Sequence, residues 1–313
     1  MTTCCIIGGA GFIGQHLARA LIESGRQVRV IDLHLPEYGL SSEIEYLQGD
    51  IRDASFLAES VKNVDELVDL AYLSVPKTSF EDPIADITQN LPSSVALFEL
   101  ASKLPLKKMI FVSSGGTVYG EPVSLPISET HPTSPISPYG ITKLALEKYA
   151  FMFHKLKGLP IVCVRPSNPF GEGQRPFIGQ GFIATAIASI LSGLEISIFG
   201  ASGTIRDYIY VGDAVKGIVS ALDRGVAGEC YNIGSGVGRS NLDVIKAISR
   251  IAKEYGHEVK VRHAPERSFD VTANILDCKK LNNISGWVPE IDFESALRQT
   301  YDWQLKQTHR DNQ

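Results

Sequence analysis

Tyr139 and Lys143 are the residues whose spacing most directly suggests chemistry. They lie four positions apart in "SPYGITKLALEKYA", a segment with an apolar helical pattern. Residues four apart share one face of a helix. A phenol ordinarily has a pKa of about 10, and we expect the neighbouring ammonium of Lys143 to lower that pKa. The pair therefore predicts a base that takes a proton from a substrate hydroxyl group.

A second polar segment, "SSGGTVYG" at residues 113–120, follows the apolar run "MIFV". A doubly wound sheet binds its ligands beyond the carboxyl ends of its strands, and this segment follows such an end. We predict that Ser114 or Thr117 hydrogen-bonds the reacting oxygen beside Tyr139, and the sequence leaves both hydroxyls open. Gly115 and Gly116 would let the backbone lie close to cofactor and substrate.

The segment "CCIIGGAGFIGQHLARALIESG" has the form of a dinucleotide-binding turn between a strand and a helix. Gly8, Gly11 and Gly14 give GxxGxxG, and Gly9 with the last two gives GxGxxG. Such glycines let a pyrophosphate approach the backbone at a helix N-terminus. Asp32 follows Gly11 by 21 residues (32 − 11 = 21), and a carboxylate there accepts ribose hydroxyls and repels a 2′-phosphate. We therefore predict NAD as the cofactor.

These residues need a scaffold, and short apolar runs predict its strands at 4–7, 28–31, 44–47, 67–71, 109–112 and 161–164. Helical periodicity predicts helices at 13–23, 92–102, 182–192, 211–222 and 241–255. Strands without clean polar alternation are typical of a parallel sheet covered on both faces. We predict an α/β protein with a Rossmann-type doubly wound parallel sheet. Residues 1–165 would form the NAD-binding domain. Residues 166–313 would form mainly a smaller α/β substrate lobe, with some segments returning to the first domain.

The composition is ordinary for a globular chain of 313 residues, with 44% hydrophobic residues, 21% charged residues and a net charge of −5. This balance gives no reason to expect nucleic acid as a partner. The apolar run at 182–191 is too short to span a bilayer, and the N-terminus shows no signal-peptide pattern. The cysteines and histidines show no metal-ligand spacing, so we predict no metal and a reducing cytoplasm.

The helix predicted after Tyr139 is apolar on more than one face. Its apolar residues are Leu144, Ala145, Leu146, Tyr149, Phe151, Met152, Phe153 and Leu156. One face can cover the sheet, and the surplus predicts a partner helix and hence a homodimer. A helix buried on all sides within one chain is the alternative.

Taken together, these motifs resemble those of the extended short-chain dehydrogenase/reductases, and within them the nucleotide-sugar 4-epimerases. The matching segments are "GGAGFIG", "GDIRD", "SSGGTVYG", "SPYGITK", "RPSNPFGEGQ", "IFGASGTIRDYIYVGD", "YNIGSG" and "SGWVPEIDFESAL". The resemblance implies NAD-dependent inversion at C4 of UDP-glucose/UDP-galactose or UDP-GlcNAc/UDP-GalNAc through a transient 4-keto sugar. "AYLSVPKTSFEDP" is also similar to a subgroup that acts on N-acetylhexosamine carried by polyprenyl diphosphate.

The resemblance also implies a set of site residues. The residues expected to contact NAD are Gly8, Gly11, Phe12, Ile13, Gly14, Asp32, Asp50, Ile51, Leu70, Ala71, Tyr139, Lys143 and Pro166. Those expected to contact substrate are Ser114, Gly115, Tyr139, Asn168, Arg206, Arg267 and Asp270. The two arginines would bind the diphosphate. Asp50 is equally well interpreted as a turn residue.

Four positions depart from the family pattern. Leu70 stands where family members often have histidine, so the cofactor contact there must differ. Gly115 stands where a third serine is common, and Phe269 where glycine usually precedes the aspartate of "RSFD". Asn274 falls at the family's sugar-size gate and is smaller than tyrosine, which indicates room for an N-acetyl group.

Three other functions compete with epimerisation. A 4,6-dehydratase needs an acid and a base just after the strand-five hydroxyl, and Gly115 and Gly116 occupy that place. Glycine cannot move a proton, so the sequence disfavours this reaction. A keto-sugar reductase would use the same pair with an exchangeable cofactor, and it stays open. A non-catalytic dinucleotide sensor would have no need of Tyr139 and Lys143.

Overall fold

The computed structural model describes residues 1–35, 41–265 and 271–311. Its strands are β1 (Thr3–Ile7), β2 (Gln27–Asp32), β3 (Ile44–Gln48), β4 (Glu66–Asp69), β5 (Lys108–Val112), β6 (Ile161–Pro166), β7 (Asn168–Phe170), β8 (Glu195–Phe199), β9 (Ile205–Tyr210), β10 (Cys230–Ile233), β11 (Gly238–Ser240), β12 (Lys260–Ala264) and β13 (Ala273–Asn274). Its helices are α1 (Phe12–Glu23), α2 (Ala54–Ser60), α3 (Pro76–Glu81), α4 (Pro83–Ala101), α5 (Pro138–Lys157), α6 (Phe182–Leu191), α7 (Val211–Arg224), α8 (Asn241–Glu254), α9 (Lys279–Ser285) and α10 (Phe293–Asp311).

The main sheet has seven parallel strands in the order β10-β6-β5-β4-β1-β2-β3. Strand β1 has β2 on one side and β4 on the other, so the winding direction reverses there. A crevice forms at the carboxyl ends of the strands at such a switch point. The predicted α/β class with a doubly wound sheet is confirmed. Strand β4 ends at Asp69, two residues before the predicted end (71 − 69 = 2).

The sheet is apolar because both of its faces are covered. Cys4 and Ile6 pack under α1 and α7 on one face, whereas Cys5 and Ile7 pack under α4 and α5 on the other. Successive strand residues point to opposite faces, so a strand covered on both sides needs apolar residues at every position. This is why the strand sequences do not alternate between apolar and polar residues.

A smaller lobe is built from the second half of the chain. Strands β11, β9 and β13 form one sheet that β7 joins through β9, and β8 pairs with β12. Helices α6, α8 and α10 enclose its core, in which Ile187, Ile248 and Tyr301 are buried. Strand β10 and helix α7 come from the same half but pack on the main sheet.

Helix α5 begins where its sequence provides a cap. The hydroxyl of Ser137 accepts a hydrogen bond from the N–H of Gly140 (3.1 Å), and Pro138 occupies the first helical position. Both features favour a helix start. The helix ends at Gly158, whose φ of +70° suits glycine. This start places Tyr139 in the first turn and Lys143 one turn further, on the face toward the sheet. Within the described residues, no helix combines the length and apolarity needed to cross a membrane.

Candidate active site

The turn between β1 and α1 leaves its backbone open for a ligand. Gly11 is the N-cap of α1, with no side-chain hydrogen bond to the first helical turn, and that turn carries no acidic residue. A Cβ on Gly14 would lie 2.5 Å from the Cα of Gly9, so helix and strand pack too closely for any other residue. A Cβ on Gly11 would meet only the carbonyl of Gly8, at 3.5 Å. The open amides and the positive helix end fit a diphosphate.

Asp32 lies beside this turn at the end of β2. Its Oδ2 accepts a hydrogen bond from the N–H of Ala10 (3.0 Å), and its Oδ1 accepts one from the N–H of His34 (3.1 Å). These bonds orient the carboxylate next to the glycine turn, where a ribose would follow a bound pyrophosphate. The turn and this carboxylate together fit NAD.

Asp50 forms a turn after β3. Its Oδ1 accepts from the N–H of Arg52 (2.9 Å), and its Oδ2 binds the Arg52 guanidinium (2.6 Å). The hydrogen bonds from Arg52 lower the pKa of Asp50. The geometry is that of a turn residue, and a contact of Asp50 or Ile51 with the adenine stays a prediction.

A cavity of about 820 Å³ lies at the carboxyl ends of the central strands and extends to the smaller lobe. The predicted site residues that line it are Phe12, Ile13, Leu70, Ser114, Thr117, Tyr139, Lys143, Pro166, Asn168 and Arg206. The predicted residues that are described but do not line it are Gly8, Gly11, Gly14, Asp32, Asp50, Ile51, Ala71 and Gly115. Arg267 and Asp270 lie outside the described residues, as does Phe269.

Gly115 is packed behind the cavity wall, although we expected it to contact substrate. A Cβ there would lie 2.5 Å from Cδ1 of Leu276 and 2.8 Å from the carbonyl of Arg165. The side-chain amide of Asn274 donates a hydrogen bond to the Gly115 carbonyl (2.9 Å). A serine at this position would therefore clash, which accounts for the missing hydroxyl.

Asn274 is itself buried and is not among the described residues that line the cavity. The expectation that it borders the sugar is therefore not supported by its position. Its amide is used to hold the Gly115 segment, and its Oδ1 has no hydrogen-bond partner among the described residues.

The two candidate hydroxyls have different surroundings. The Ser114 side chain hydrogen-bonds Tyr139, which favours the phenolate form. The Oγ1 of Thr117 is buried and has no hydrogen-bond partner within the described part of the chain. Both residues line the cavity. Ser114 is therefore engaged with the base, whereas Thr117 offers an unused hydroxyl group.

The pKa of Tyr139 departs from our expectation. Removal from water and the charge of Asp86 raise this pKa, and only the bond from Ser114 lowers it. The expected lowering by Lys143 is not found, because the ammonium is directed elsewhere. Its Nζ donates to the carbonyl of Val112 (2.9 Å) and lies 5.9 Å from the centre of the Tyr139 ring.

Lys143 is a buried cation whose own pKa is displaced. Burial lowers its pKa to about 8, against the raising effects of Asp69, Asp86 and Glu147. Asp69, at the end of β4, is buried as well, and burial raises its pKa to about 6. The N–H of Ala71 donates to its Oδ1 (3.1 Å), while its Oδ2 has no hydrogen-bond partner among the described residues. Both groups can change charge near neutral pH.

The far side of the cavity belongs to the smaller lobe. Arg206 on β9 donates from Nη1 to the carbonyls of Ile205 (2.9 Å) and Val271 (2.8 Å), which fixes its guanidinium at the cavity wall. Asn168 on β7 lies across from the hydroxyl-bearing segment, because a Cβ on Gly116 would lie 3.4 Å from its Oδ1. This arrangement can hold an anionic group away from Tyr139.

Several cavity residues escaped the sequence reasoning. Among them are Tyr72, Lys77, Gln174, Phe182 and Tyr208. Tyr72 follows β4 at a strand end, a position from which ligand contacts are expected. Gln174 belongs to the Gly- and Pro-rich segment after β7, whose composition indicates a long loop. No group of acidic, histidine or cysteine side chains within the described ranges could hold a metal ion.

The comparisons with known proteins agree with this geometry. The sequence model of the NAD dependent epimerase/dehydratase family matches residues 4–234. The UDP-glucose 4-epimerase of Lacticaseibacillus casei is 31% identical over 325 residues, covering 96% of each chain. The UDP-glucose 4-epimerase of Thermotoga maritima, solved with UDP-glucose, is 33% identical with a TM-score of 0.92, covering 98% of this chain and 100% of that one.

A UDP-glucose 4-epimerase structure of Thermus thermophilus in complex with NAD is 30% identical, with a TM-score of 0.89, and the match covers 96% of this chain and 98% of that one. The resemblance read from the motifs is confirmed across almost the whole length. The chain is therefore an NAD-using enzyme that belongs to the NAD dependent epimerase/dehydratase family, within the extended short-chain dehydrogenase/reductases.

Proposed function

We propose that this enzyme inverts C4 of a hexose carried on a diphosphate, with UDP-glucose/UDP-galactose or UDP-GlcNAc/UDP-GalNAc as the substrate. The observation that carries the proposal is the makeup of the cavity wall. It presents Tyr139, Lys143 and the hydroxyls of Ser114 and Thr117, and its one carboxylate among the described residues is Glu81. Glu81 is exposed at the end of α3 and lies near Lys77 (3.9 Å). Such a wall can move one proton at one carbon.

The proposed chemistry divides between the residues and NAD. Bound NAD would supply the acceptor and donor of the C4 hydride, and the glycine turn before α1 together with Asp32 would hold it. Tyr139 accepts the proton of the C4 hydroxyl and gives it back, while Ser114 stabilises the phenolate. Thr117 donates its unused hydroxyl to the same sugar oxygen. Arg206 holds the diphosphate, so that the sugar ring can turn while its carrier stays fixed.

The two competing reactions differ in how well they fit this wall. A 4,6-dehydratase would need a second acid and base beside Tyr139, whereas Gly115 and Gly116 are the residues that follow Ser114. A keto-sugar reductase would use the same wall but would consume the reduced cofactor with each turnover. Cofactor balance therefore separates an epimerase from a reductase.

A polyprenyl-diphosphate sugar is a second candidate substrate, favoured by the apolar rim of the cavity. Phe80 and Ile136 line the cavity and are exposed. Phe177 and Ile178 are exposed next to Gly179, which also lines it. An isoprenoid chain would cover such a rim, whereas uridine would leave most of it in water.

The substrate can be identified by offering UDP-glucose, UDP-N-acetylglucosamine and polyprenyl-diphosphate N-acetylglucosamine separately. Inversion at C4 is scored in each product by proton NMR, with Tyr139→Phe as the matched control. We expect inversion of at least one sugar by the wild type and of none by the variant. Net formation of NADH from added NAD, with a keto sugar as the product and no inversion, would assign the oxidoreductase instead.

We also propose that the enzyme is a homodimer acting in the cytoplasm. Helices α4 and α5 pack together and expose Ile84, Ile87, Met152 and Leu156 on their outer sides, and a second copy would cover these apolar residues. All five cysteines are free and four are buried, as suits a reducing compartment. Light scattering should give twice the chain mass for the wild type and once for Met152→Glu/Leu156→Glu. A wild-type monomer would contradict the dimer.

A further inference from the structure

Tyr72 occupies the space between the two residues of the catalytic pair. It follows β4 and lines the cavity. The Nζ of Lys143 lies 4.2 Å from the centre of its ring, over the ring face. The ring of Tyr139 meets Tyr72 edge to face, with centres 4.8 Å apart at 70°. One aromatic side chain therefore contacts both the cation and the phenol.

The hydroxyl of Tyr72 is tied to a buried carboxylate. It donates to Asp86 on α4, at 3.2 Å from Oδ1 and 3.4 Å from Oδ2. Asp86 also accepts from the hydroxyl of Thr142 (2.7 Å), which lies on α5 between Tyr139 and Lys143, and from that of Ser74. The carboxylate thus links α4, the turn that carries the pair, and the segment after β4.

The same segment is fixed a second time, one turn further along α4. The side chain of Asn90 accepts from the N–H of Leu73 (2.8 Å) and donates to the hydroxyl of Ser74 (3.3 Å). Asp86 and Asn90 are both buried. Tyr72 is therefore held through its hydroxyl and through the two residues that follow it, and both sets of contacts come from α4.

We propose that Tyr72 is a positioning residue for the catalytic pair, whose ring carries the Lys143 ammonium on its face and packs edge to face with the Tyr139 ring while Asp86 fixes its hydroxyl. This inference deepens the proposed function and rests on it only for the activity measurements. Burial and Asp86 raise the pKa of Tyr72. Its hydroxyl therefore stays protonated and remains a donor to Asp86.

The ring matters because Lys143 has to stay charged in an apolar place. The carboxylates facing it are Asp69 from β4, Asp86 from α4 and Glu147 from α5, and Glu147 is paired with Arg165 from β6. Tyr72 adds the negative face of a ring, and Phe111 adds a second ring at 5.1 Å. A desolvated cation–π contact favours the charged form about tenfold, which corresponds to about one pH unit in the lysine pKa.

The test separates the ring from the hydroxyl with two variants. Tyr72→Phe keeps the ring and loses the bond to Asp86, whereas Tyr72→Leu loses the ring. Phe98→Leu is the matched control, because it opens a core cavity under the same helix α4. Lys143 is titrated by carbon NMR of protein labelled at lysine Cε, with Lys143→Met assigning its resonance. The pH profile of kcat is measured in parallel.

We expect Tyr72→Leu to lower the Lys143 pKa and the alkaline limb of the kcat profile by about one pH unit, with a loss of about tenfold in kcat. Tyr72→Phe should have a kcat within about threefold of that of the wild type. Phe98→Leu should leave the Lys143 pKa and the alkaline limb of the kcat profile unchanged. The proposal is overturned if the Lys143 pKa in Tyr72→Leu equals that of the wild type. It is also overturned if Phe98→Leu shifts the Lys143 pKa as far as Tyr72→Leu does. The lysine titration decides this even if no offered sugar is epimerised.

Discussion

Two cations are buried close together in this protein, and they are held in opposite ways. Arg165 and Lys143 are 4% and 3% exposed. Arg165 donates to both oxygens of Glu147 (2.8 and 2.6 Å) and to the hydroxyl of Tyr119 (2.8 Å). Lys143 donates to the carbonyl of Val112 and lies over the ring of Tyr72. The first cation is matched to a carboxylate, and the second is not.

The consequence appears in the pKa of each group. Burial alone would lower the pKa of Arg165, but the bonds and charge of Glu147 outweigh it and raise the pKa. For Lys143 burial prevails and lowers the pKa to about 8. A hydrogen-bonded carboxylate therefore decides whether a buried cation is locked or able to respond. Arg165 and Glu147, the locked pair, support the fold. Lys143, the responsive cation, belongs to the site.

Lys143→Met removes the responsive cation and should have the largest effect of these substitutions. We expect kcat to fall on the order of 10³- to 10⁴-fold, because the cation that lines the reaction cavity together with Tyr139 is lost. The free energy of unfolding should stay equal or rise, since a poorly paired buried charge is replaced by an apolar chain. Kinetics and urea unfolding measure both. A marked loss of stability would place Lys143 with Arg165 as a structural cation.

Glu147→Gln removes the carboxylate that pairs with Arg165 in the locked pair. Arg165 would then be buried without its carboxylate, and we expect a loss of about 3–5 kcal/mol in the free energy of unfolding. Urea unfolding gives this value, and the double variant Glu147→Gln/Arg165→Met should recover part of it. A loss below about 1 kcal/mol would show that the pair is not what holds α5 to β6.

Asp69→Asn tests the carboxylate that faces Lys143 without pairing. Burial raises the pKa of Asp69 from 3.8 to about 6. A raised acid pKa stabilises the fold below the unfolded value and loses that contribution as pH rises through the folded value. Wild-type stability should therefore fall relative to Asp69→Asn between about pH 4 and pH 6, by up to about 3 kcal/mol. Equal curves for the two proteins over this range would show that Asp69 does not titrate there.

Tyr119→Phe removes the hydroxyl that contacts Arg165 in the locked pair, and it should have the smallest effect. Its hydroxyl accepts from Arg165 and donates to Oδ1 of Asn232 (2.7 Å). Losing it should cost about 1–2 kcal/mol of unfolding free energy, with kcat within about twofold of wild type. Thermal unfolding and kinetics check this. A large loss of activity would mean that the locked network reaches the reacting atoms.

The sequence predicted the parts of this molecule that depend on local pattern. The glycine turn with Asp32, and the pair Tyr139 and Lys143, are spaced by the geometry of one turn or one helix. The parallel sheet follows from strands that are apolar at every position. In each case the neighbours along the chain are also the neighbours in space.

The surroundings of the pair could not be predicted in the same way. Asp69, Tyr72 and Asp86 meet Lys143 only because α4 packs on α5 beside the end of β4. The pKa of Tyr139 was expected to fall, but it rises because desolvation and Asp86 act on it and the lysine points to a backbone carbonyl. The place of Gly115 behind the wall likewise depends on contacts with Leu276, far along the chain.

In the proposed reaction, one carbon of the sugar loses its hydrogen and regains it in the same site. The most direct test is a substrate deuterated at C4, incubated with the enzyme in ordinary water and followed by NMR. We expect an inverted product that retains its deuterium at C4, with no net formation of NADH and no turnover by Tyr139→Phe. Inversion with loss of the deuterium to water would contradict it.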